Sequence, residues 1–308
     1  MILIVARSNN FNHLNQVIKI NSKDHAKNLY GFYSPLSNAL SRLFDLGIES
    51  CYACNVQVDT DYFEIINQID GLPVDYILLP ELTFDKKMKM KNGTELPIYV
   101  IMSNILTESK FIVTDRHIKD FVSMSHFISH YNTIRFELSK IVKFKSNISL
   151  VANHLKDSDY ANIDVACSLL KSEIGDYPRL DCGKSDFQFE REDFSLPIIF
   201  FKNNLCSNYF NLGEGVESNL VIERLLNAIK KELDNALNYL VGKRYNKNTL
   251  FTVYNHVSRI LDLRKTKYFE DYKILDIYIQ NGTLHVETEI LPYFSFDYIK
   301  IHNVIRGV

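Results

Sequence analysis

Ser218-Asn219-Leu220-Val221-Ile222-Glu223-Arg224-Leu225-Leu226-Asn227-Ala228-Ile229 opens the segment that decides the C-terminal fold. Val221, Ile222, Leu225, Leu226, Ile229, Leu233, Leu237 and Leu240 recur three and four residues apart. They therefore share one face of a long amphipathic helix over residues 219–242. Ser218 is placed as its N-cap, and Glu214 and Glu217 sit near its positive end. A second helix is expected over 247–263. Asn281-Gly282 then marks a two-residue hairpin turn. The chain closes on a strand-like run, Tyr298-Ile299-Lys300-Ile301-His302-Asn303-Val304-Ile305. Its opening run, Ile2-Leu3-Ile4-Val5, is also apolar and strand-forming. Chain ends ordinarily fray because nothing holds them. These two must pair with a strand, at home or on a neighbour.

Further upstream, Ser34 and Pro35 start a helix, with Ser as cap and Pro at the first helical position. Leu36, Ala39, Leu40, Leu43 and Phe44 form its apolar face, and Gly47 stops it. A strand is expected over 51–56, a short helix over 62–69, and a strand buried on both faces over 74–79. Residues 86–93 read as a polar loop, and 98–106 fit helix and strand equally. Phe111-Ile112-Val113 is a buried strand, 120–142 a helix, 147–151 a strand and 161–174 a helix. Strands alternating with helices give an α/β fold: a mostly parallel sheet flanked by helices. From residue 196 the order becomes strand, strand, two long helices and an antiparallel end. The domain boundary is therefore expected near 195–205.

A chain of 308 residues buries roughly three quarters of its unfolded surface, enough for one large or two modest domains. Its formal net charge is −2, with both signs interspersed, which disfavours electrostatic nucleic-acid binding. No apolar run reaches the length of a membrane span, so membrane insertion is not expected. The N-terminus lacks the pattern of a secretory signal. Five cysteines in a chain this long do not form a disulfide framework, so a reduced interior is expected.

Four motifs invite a chemical reading. Gly183-Lys184-Ser185 is half of a phosphate loop, but Pro178 stands where the first glycine belongs and has no N–H to offer a phosphate. Cys51-x-x-Cys54 has metal or redox spacing, yet within a strand the two thiols point to opposite faces. His126 and His130 share a helical face, but Phe127 stands where a zinc protease has Glu. Gly213-Glu214-Gly215 before a helix would hold an anion, were it not for its own carboxylates. No nucleophile–base pair stands out. The expectation is a protein that is not an enzyme, with no catalytic residue, cofactor or metal.

Several of these stretches resemble contractile tail sheath proteins, the outer cylinders of myovirus tails, R-type bacteriocins and related injection systems. The 218–229 segment is similar to the long C-terminal helix of that family. Leu240-Val241-Gly242-Lys243 and Asn246-Lys247-Asn248-Thr249-Leu250 resemble its helix end and restart. Asp276-Ile277-Tyr278-Ile279, Thr283-Leu284-His285-Val286-Glu287-Thr288-Glu289-Ile290 and Phe296-Asp297-Tyr298-Ile299-Lys300-Ile301 resemble its closing strands. Pro35-Leu36-Ser37-Asn38-Ala39-Leu40, Cys51-Tyr52-Ala53-Cys54 and Tyr76-Ile77-Leu78-Leu79-Pro80-Glu81-Leu82 are similar to its early helix and strands.

The resemblance implies a short sheath subunit with an N-terminal arm over 1–22, an outer α/β domain over 23–200, an inner domain over 201–292 and a C-terminal arm over 293–308. The inner domain would hold two long helices and a small sheet completed by arm strands. Both arms would join the sheet of adjacent subunits, using Ile2, Leu3, Ile4 and Val5 at one end and Ile299, Ile301, Val304 and Ile305 at the other. Arg224, Lys230, Lys231, Lys243, Arg244 and Lys247 form a basic set expected to face an inner tube. The implied partners are further copies in stacked rings, the tube protein, and baseplate and terminator proteins. The implied place is a virion tail or injection particle assembled in the bacterial cytoplasm, which contracts to drive its tube through a target envelope. Two alternatives stay open: a soluble α/β enzyme or small-molecule-binding domain, and a related baseplate or tail-end component.

Overall fold

The computed structural model describes residues 1–82, 86–89, 93–106, 109–114, 120, 122–141, 148–151, 159–174, 201–202, 205–206 and 220–293. These fall into two compact units, with the division at Leu220 and Val221. The sequence places that boundary some twenty residues earlier, near 200, because the strand pair there reads as the start of the second domain.

The first unit runs β1 (Ile2–Ala6), β2 (Val17–Ile20), α1 (Lys23–Tyr30), α2 (Pro35–Asp45), β3 (Cys51–Asn55), α3 (Asp61–Glu64), α4 (Ile66–Ile69) and β4 (Tyr76–Leu78). It continues with β5 (Lys87–Lys89), β6 (Glu95–Pro97), α5 (Ile98–Ile105), β7 (Lys110–Thr114), α6 (Met124–Ile141), β8 (Ile148–Val151), α7 (Ala161–Lys171), β9 (Phe201–Lys202) and β10 (Leu205–Cys206). Its six-stranded sheet has the order β2-β3-β1-β4-β7-β8. All neighbours are parallel except β2, which runs antiparallel to β3 at one edge. The five parallel strands thus follow a doubly wound order.

Every residue of β1 is fully buried, and β1 pairs with β3 on one side and β4 on the other. This corrects the expectation that Ile2, Leu3, Ile4 and Val5 form an arm donated to a neighbour. The physical reason lies in the composition of the run. Consecutive apolar residues without a polar alternate suit a central parallel strand, whose two faces are both covered. Leu3 and Val5 enter a core with Ile77, Phe111, Val113, Ile148 and Leu150 of the sheet, covered by Tyr62, Ile66, Tyr99 and Phe127 from the helices of that face. The alternate residues Ile2 and Ile4 lie on the other face, where α2 contacts β1 and α7 contacts β7. The region 1–22 is therefore two sheet strands and their connection rather than an arm.

The local rules hold where the chain states them. Ser34 caps α2 by accepting from Ser37 N–H at 3.1 Å, and Gly47 turns away at φ 76°. Residues 98–105, readable either way in sequence, are helical. The polar stretch at 86–93 contributes β5 to a small hairpin. Three elements, β2, α1 and β6, have no counterpart in the sequence reading. β2 is a short edge strand, and α1 has a strongly polar sequence with only Ala26 and Tyr30 buried.

The second unit contains α8 (Leu220–Leu237), a short 3-10 turn (Asn238–Leu240), α9 (Lys247–Tyr268), β11 (Phe269–Gln280) and β12 (Thr283–Pro292). Leu225 and Ile229 of α8 pack with Val253, Val257 and Leu261 of α9 and with Phe269 at the start of β11. Ile274, Ile277, Leu284, Val286 and Ile290 of the hairpin lie against this core.

Candidate assembly interface

The surface of interest is built within the second unit. α9 begins with a reciprocal cap: Asn246 Oδ1 accepts from Thr249 N–H at 3.0 Å, and Thr249 Oγ1 accepts from Asn246 N–H at 3.1 Å. Arg264 of α9 donates to both carboxylate oxygens of Glu232 on α8, at 3.0 and 2.8 Å. This hydrogen bonding raises the Arg264 pKa above its ordinary value. A two-point pair fixes the rotation of one helix against the other as well as their separation.

Asn281 and Gly282 both take positive φ, 52° and 79°, as the tight hairpin turn requires. From there β11 and β12 pair back to Phe269 and Pro292. Tyr278 stacks on His285 across the strands at 4.8 Å and donates to Glu287 Oε1 at 3.0 Å. Tyr272 donates to Asp262 Oδ1 at 2.7 Å, which anchors β11 to α9. Long hairpins with few partners are marginal on their own, so these contacts and the helical floor hold it in place.

The two strands form a sheet of their own among the described residues. Each therefore has an outer edge with no described strand beside it. The register slips twice along β11, between Phe269 and Asp271 and between Ile274 and Asp276, while β12 shows no extra residue. An open groove of about 830 Å³ runs between α8, the 238–245 turn, the start of α9 and β12. Leu226, Leu233 and Leu237 line one wall and Leu284, Val286 and Ile290 the other, all only half-buried.

The basic set expected at the tube is split by the structure. Lys230, Lys243 and Arg244 line the groove, with Lys243 Nζ 5.0 Å from the centre of the Tyr239 ring. Arg224 is half-buried and Lys231 exposed on α8. The Lys247 side chain, and Ile299, Ile301, Val304 and Ile305, lie outside the described residues. Sequence reasoning did not single out Leu284, Val286 and Ile290, although their alternation with His285, Glu287 and Glu289 is the signal for a one-sided strand.

In the first unit, the place where a doubly wound sheet would take a small ligand is the crevice at the strand ends between β1 and β4. Here the chain uses those groups itself. Arg7 N–H donates to the Glu81 carboxylate, and Ser8 N–H donates to Asn55 Oδ1 at 3.0 Å. Asn55 Nδ2 donates to Asn10 O at 2.7 Å, and Gln57 Nε2 to Ser8 O at 2.9 Å. Cys51 and Cys54 are both buried, and burial pushes both thiols up to about 12. Cys54 faces the main core while Cys51 feels Cys167 of α7, so the pair does divide between the faces. His126 and His130 lie on α6, and no cluster of three or more metal-binding side chains occurs among the described residues. Residues 178–185 and 213–218 lie outside them.

No protein-family model and no curated protein sequence matches the chain. Solved structures do. A chain of the extracellular contractile injection system PVC sheath in its contracted state superposes with a TM-score of 0.69 at 13% identity, covering 98% of this chain and 91% of that one. A chain of the anti-feeding prophage helical sheath, also contracted, gives 0.65 at 11%, covering 98% and 92%. A chain in the baseplate structure of the same prophage matches comparably. A sheath tail protein from Listeria innocua gives 0.55 at 8%, covering 94% of both chains. Over nearly its whole length, and in both of its units, this chain has the fold of contractile sheath proteins.

Proposed function

We propose that this protein is a structural subunit of a contractile sheath. Copies polymerise as stacked rings around an inner tube, and the cylinder shortens to drive the tube through a target cell envelope. The observation that carries this reading is the whole-chain likeness to sheath subunits, in which both units are matched rather than one common domain. A doubly wound sheet alone would say little, since that fold serves many functions.

Assembly suits the physical chemistry of the second unit. A long two-stranded sheet with no further strand beside it among the described residues is a template for added strands. Ordering each residue of an added strand costs about 1–2 kcal/mol, and a ladder hydrogen bond returns only about 1 kcal/mol. Apolar side chains of the added strand must supply the rest, at about 1.5–3 kcal/mol each. Ile299, Ile301, Val304 and Ile305 in the 293–308 arm have that chemistry. Subunits tied by such strands can turn relative to one another without separating. The energy of contraction is then stored during assembly, and the subunit needs no nucleotide, metal or catalytic group. The tube, a baseplate and a terminator are its partners. The particle is a phage tail or an injection device assembled in a bacterial cell.

A second reading, a ring-forming component at the end of the tail, is favoured by the likeness to a chain in a baseplate structure. Negative-stain electron microscopy of the purified full chain separates the two. Long hollow cylinders establish the sheath. Rings that do not stack establish the tail-end component. A uniformly small particle at high concentration sinks both.

A further inference from the structure

We propose that the outer face of the β11–β12 hairpin docks on the basic turn between α8 and α9 of a second copy of this chain. This rests on the assembly reading above and adds to it a contact made by a sheet face rather than by a strand edge.

Charge in the second unit is segregated along the chain. Between Asp234 and Asp262 there is no carboxylate, yet Lys243, Arg244, Lys247 and Arg259 all fall there. From Phe269 to Tyr293 the balance reverses. Glu270, Asp271, Asp276, Glu287 and Glu289 stand against Lys273, with no arginine.

The fold turns this segregation into two patches. Ile274, Ile277, Leu284, Val286 and Ile290 of the hairpin face the core, so the residues between them look outward. On that outer face Asp276 stands directly opposite Glu287, between the Tyr278–His285 stack and the Lys273–Glu289 pair. Like charges directly opposite each other weaken a two-stranded sheet, and an incoming cation relieves that repulsion. Leu275 and Leu291 are exposed on the hairpin beside these carboxylates. At the turn, Lys243 and Arg244 are exposed beside Tyr239, Val241 and Tyr245, which are exposed too.

Among the described residues, none of Lys243, Arg244, Asp276 and Glu287 takes part in an ion pair. Both patches belong to one compact unit and do not neutralise each other within it. The complement of each therefore comes from a second molecule, and every copy brings both in equal number. Complementary charge selects the partner and sets its register more than it adds affinity, while the apolar residues beside it supply the buried area. Such a contact joins two different surfaces, so repeating it builds a ring or a helix rather than a closed pair.

The test is a charge swap in full-length chains, read by sedimentation velocity and electron microscopy. Asp276→Lys with Glu287→Lys makes the hairpin face basic and keeps like charges opposed, so the hairpin itself is little altered. Lys243→Glu with Arg244→Glu makes the turn acidic. Each variant alone should self-associate at least about tenfold more weakly than the parent, with its melting temperature unchanged. An equimolar mixture should recover the parent's association. The basic face of one variant then meets the acidic turn of the other, and the native patches meet in the reverse direction. Association of the parent should fall as salt rises. A mixture that associates no better than its separate components overturns the pairing of these two patches. Variants that assemble like the parent but lose the inner tube place the turn on the tube and overturn the contact between copies. Cylinders from the parent and from both variants alone would leave the sheath reading standing and sink this proposal. Small oligomers lost on reversal and recovered in the mixture, with no cylinders from the parent, would do the reverse. A parent that stays monomeric at every concentration sinks both.

Discussion

Arg42 Nε donates to Asp164 Oδ1 at 2.8 Å, joining α2 to α7 over one face of the parallel sheet. The Asp164 side chain is 2% exposed while that of Arg42 is 38% exposed. The pair is thus lopsided: the carboxylate depends on its partner, whereas the guanidinium retains water. Removing Arg42 strands a buried charge, and removing Asp164 strands only a half-solvated one. Arg42→Met should therefore cost about 2–3 kcal/mol, less than a fully buried pair because of that exposure. Asp164→Asn should cost less. Urea denaturation of both variants checks the order, and equal costs would mean the pair carries no such asymmetry.

The position of β1 makes a second prediction. Leu3 is fully buried between β3 and β4, so Leu3→Ala should destabilise the first unit by about 2–5 kcal/mol. Deleting residues 1–8 should abolish folding of that unit rather than merely loosen assembly. A folded, monomeric deletion product by circular dichroism would restore the arm that the structure removes.

Asp61 sets a pH dependence. Its buried carboxylate accepts from Gln57 N–H at 2.7 Å and Val58 N–H at 3.0 Å. Burial pushes its pKa up, but these hydrogen bonds, with one accepted from the Asn15 side chain, outweigh it and hold the pKa below its ordinary value. A lowered folded-state pKa contributes stability that is complete above the unfolded value of about 4. That stability is lost as pH falls through the lower folded value. Asp61→Asn should thus be less stable than the parent at neutral pH, and the gap should close in acid. A gap independent of pH would show that the charge is not what matters.

The thiols of Cys51, Cys54 and Cys167 are buried, and burial pushes each up to about 12. Thiolate is the reactive form, so native protein should leave all three unmodified by iodoacetamide at pH 8. Cys182→Ser and Cys206→Ser remove the remaining two cysteines from the readout. Modification should appear only with denaturant, followed by mass spectrometry. Rapid native labelling of Cys51 and Cys54 would reopen a redox role for the pair.

Lys243 and Arg244 lie on the exposed turn between α8 and α9. If this turn meets an acidic tube surface, Lys243→Glu with Arg244→Glu should lower tube attachment and leave the melting temperature unchanged. Attachment of the parent should weaken as salt rises, because exposed charges are screened. Co-sedimentation with the tube protein over a salt series reads both effects. Unchanged attachment would assign the basic residues to an ordinary solvated face.

Much of this molecule was legible in the sequence. Ser34 and Pro35 start α2, the three-and-four spacing of Ile222, Leu225 and Ile229 marks α8, and Asn281-Gly282 turns the hairpin. These are local rules, set by backbone dihedrals and by the period of a helix or strand. The apolar character of Ile2-Leu3-Ile4-Val5 was equally plain, but its partner was not. A run buried on both faces pairs with strands that arrive 49 and 74 residues later (Leu3 with Tyr52, Ile2 with Tyr76), and no local rule reports on them. The same holds for the groove. Leu226, Leu233 and Leu237 read as one apolar face, which sequence assigns wholly to the core. Only the packing of α9 and the hairpin decides that Leu225 and Ile229 are covered while those three stay half-open beside β12. Burial is settled by what stands opposite a side chain, and the sequence by itself determines only which side chains seek cover.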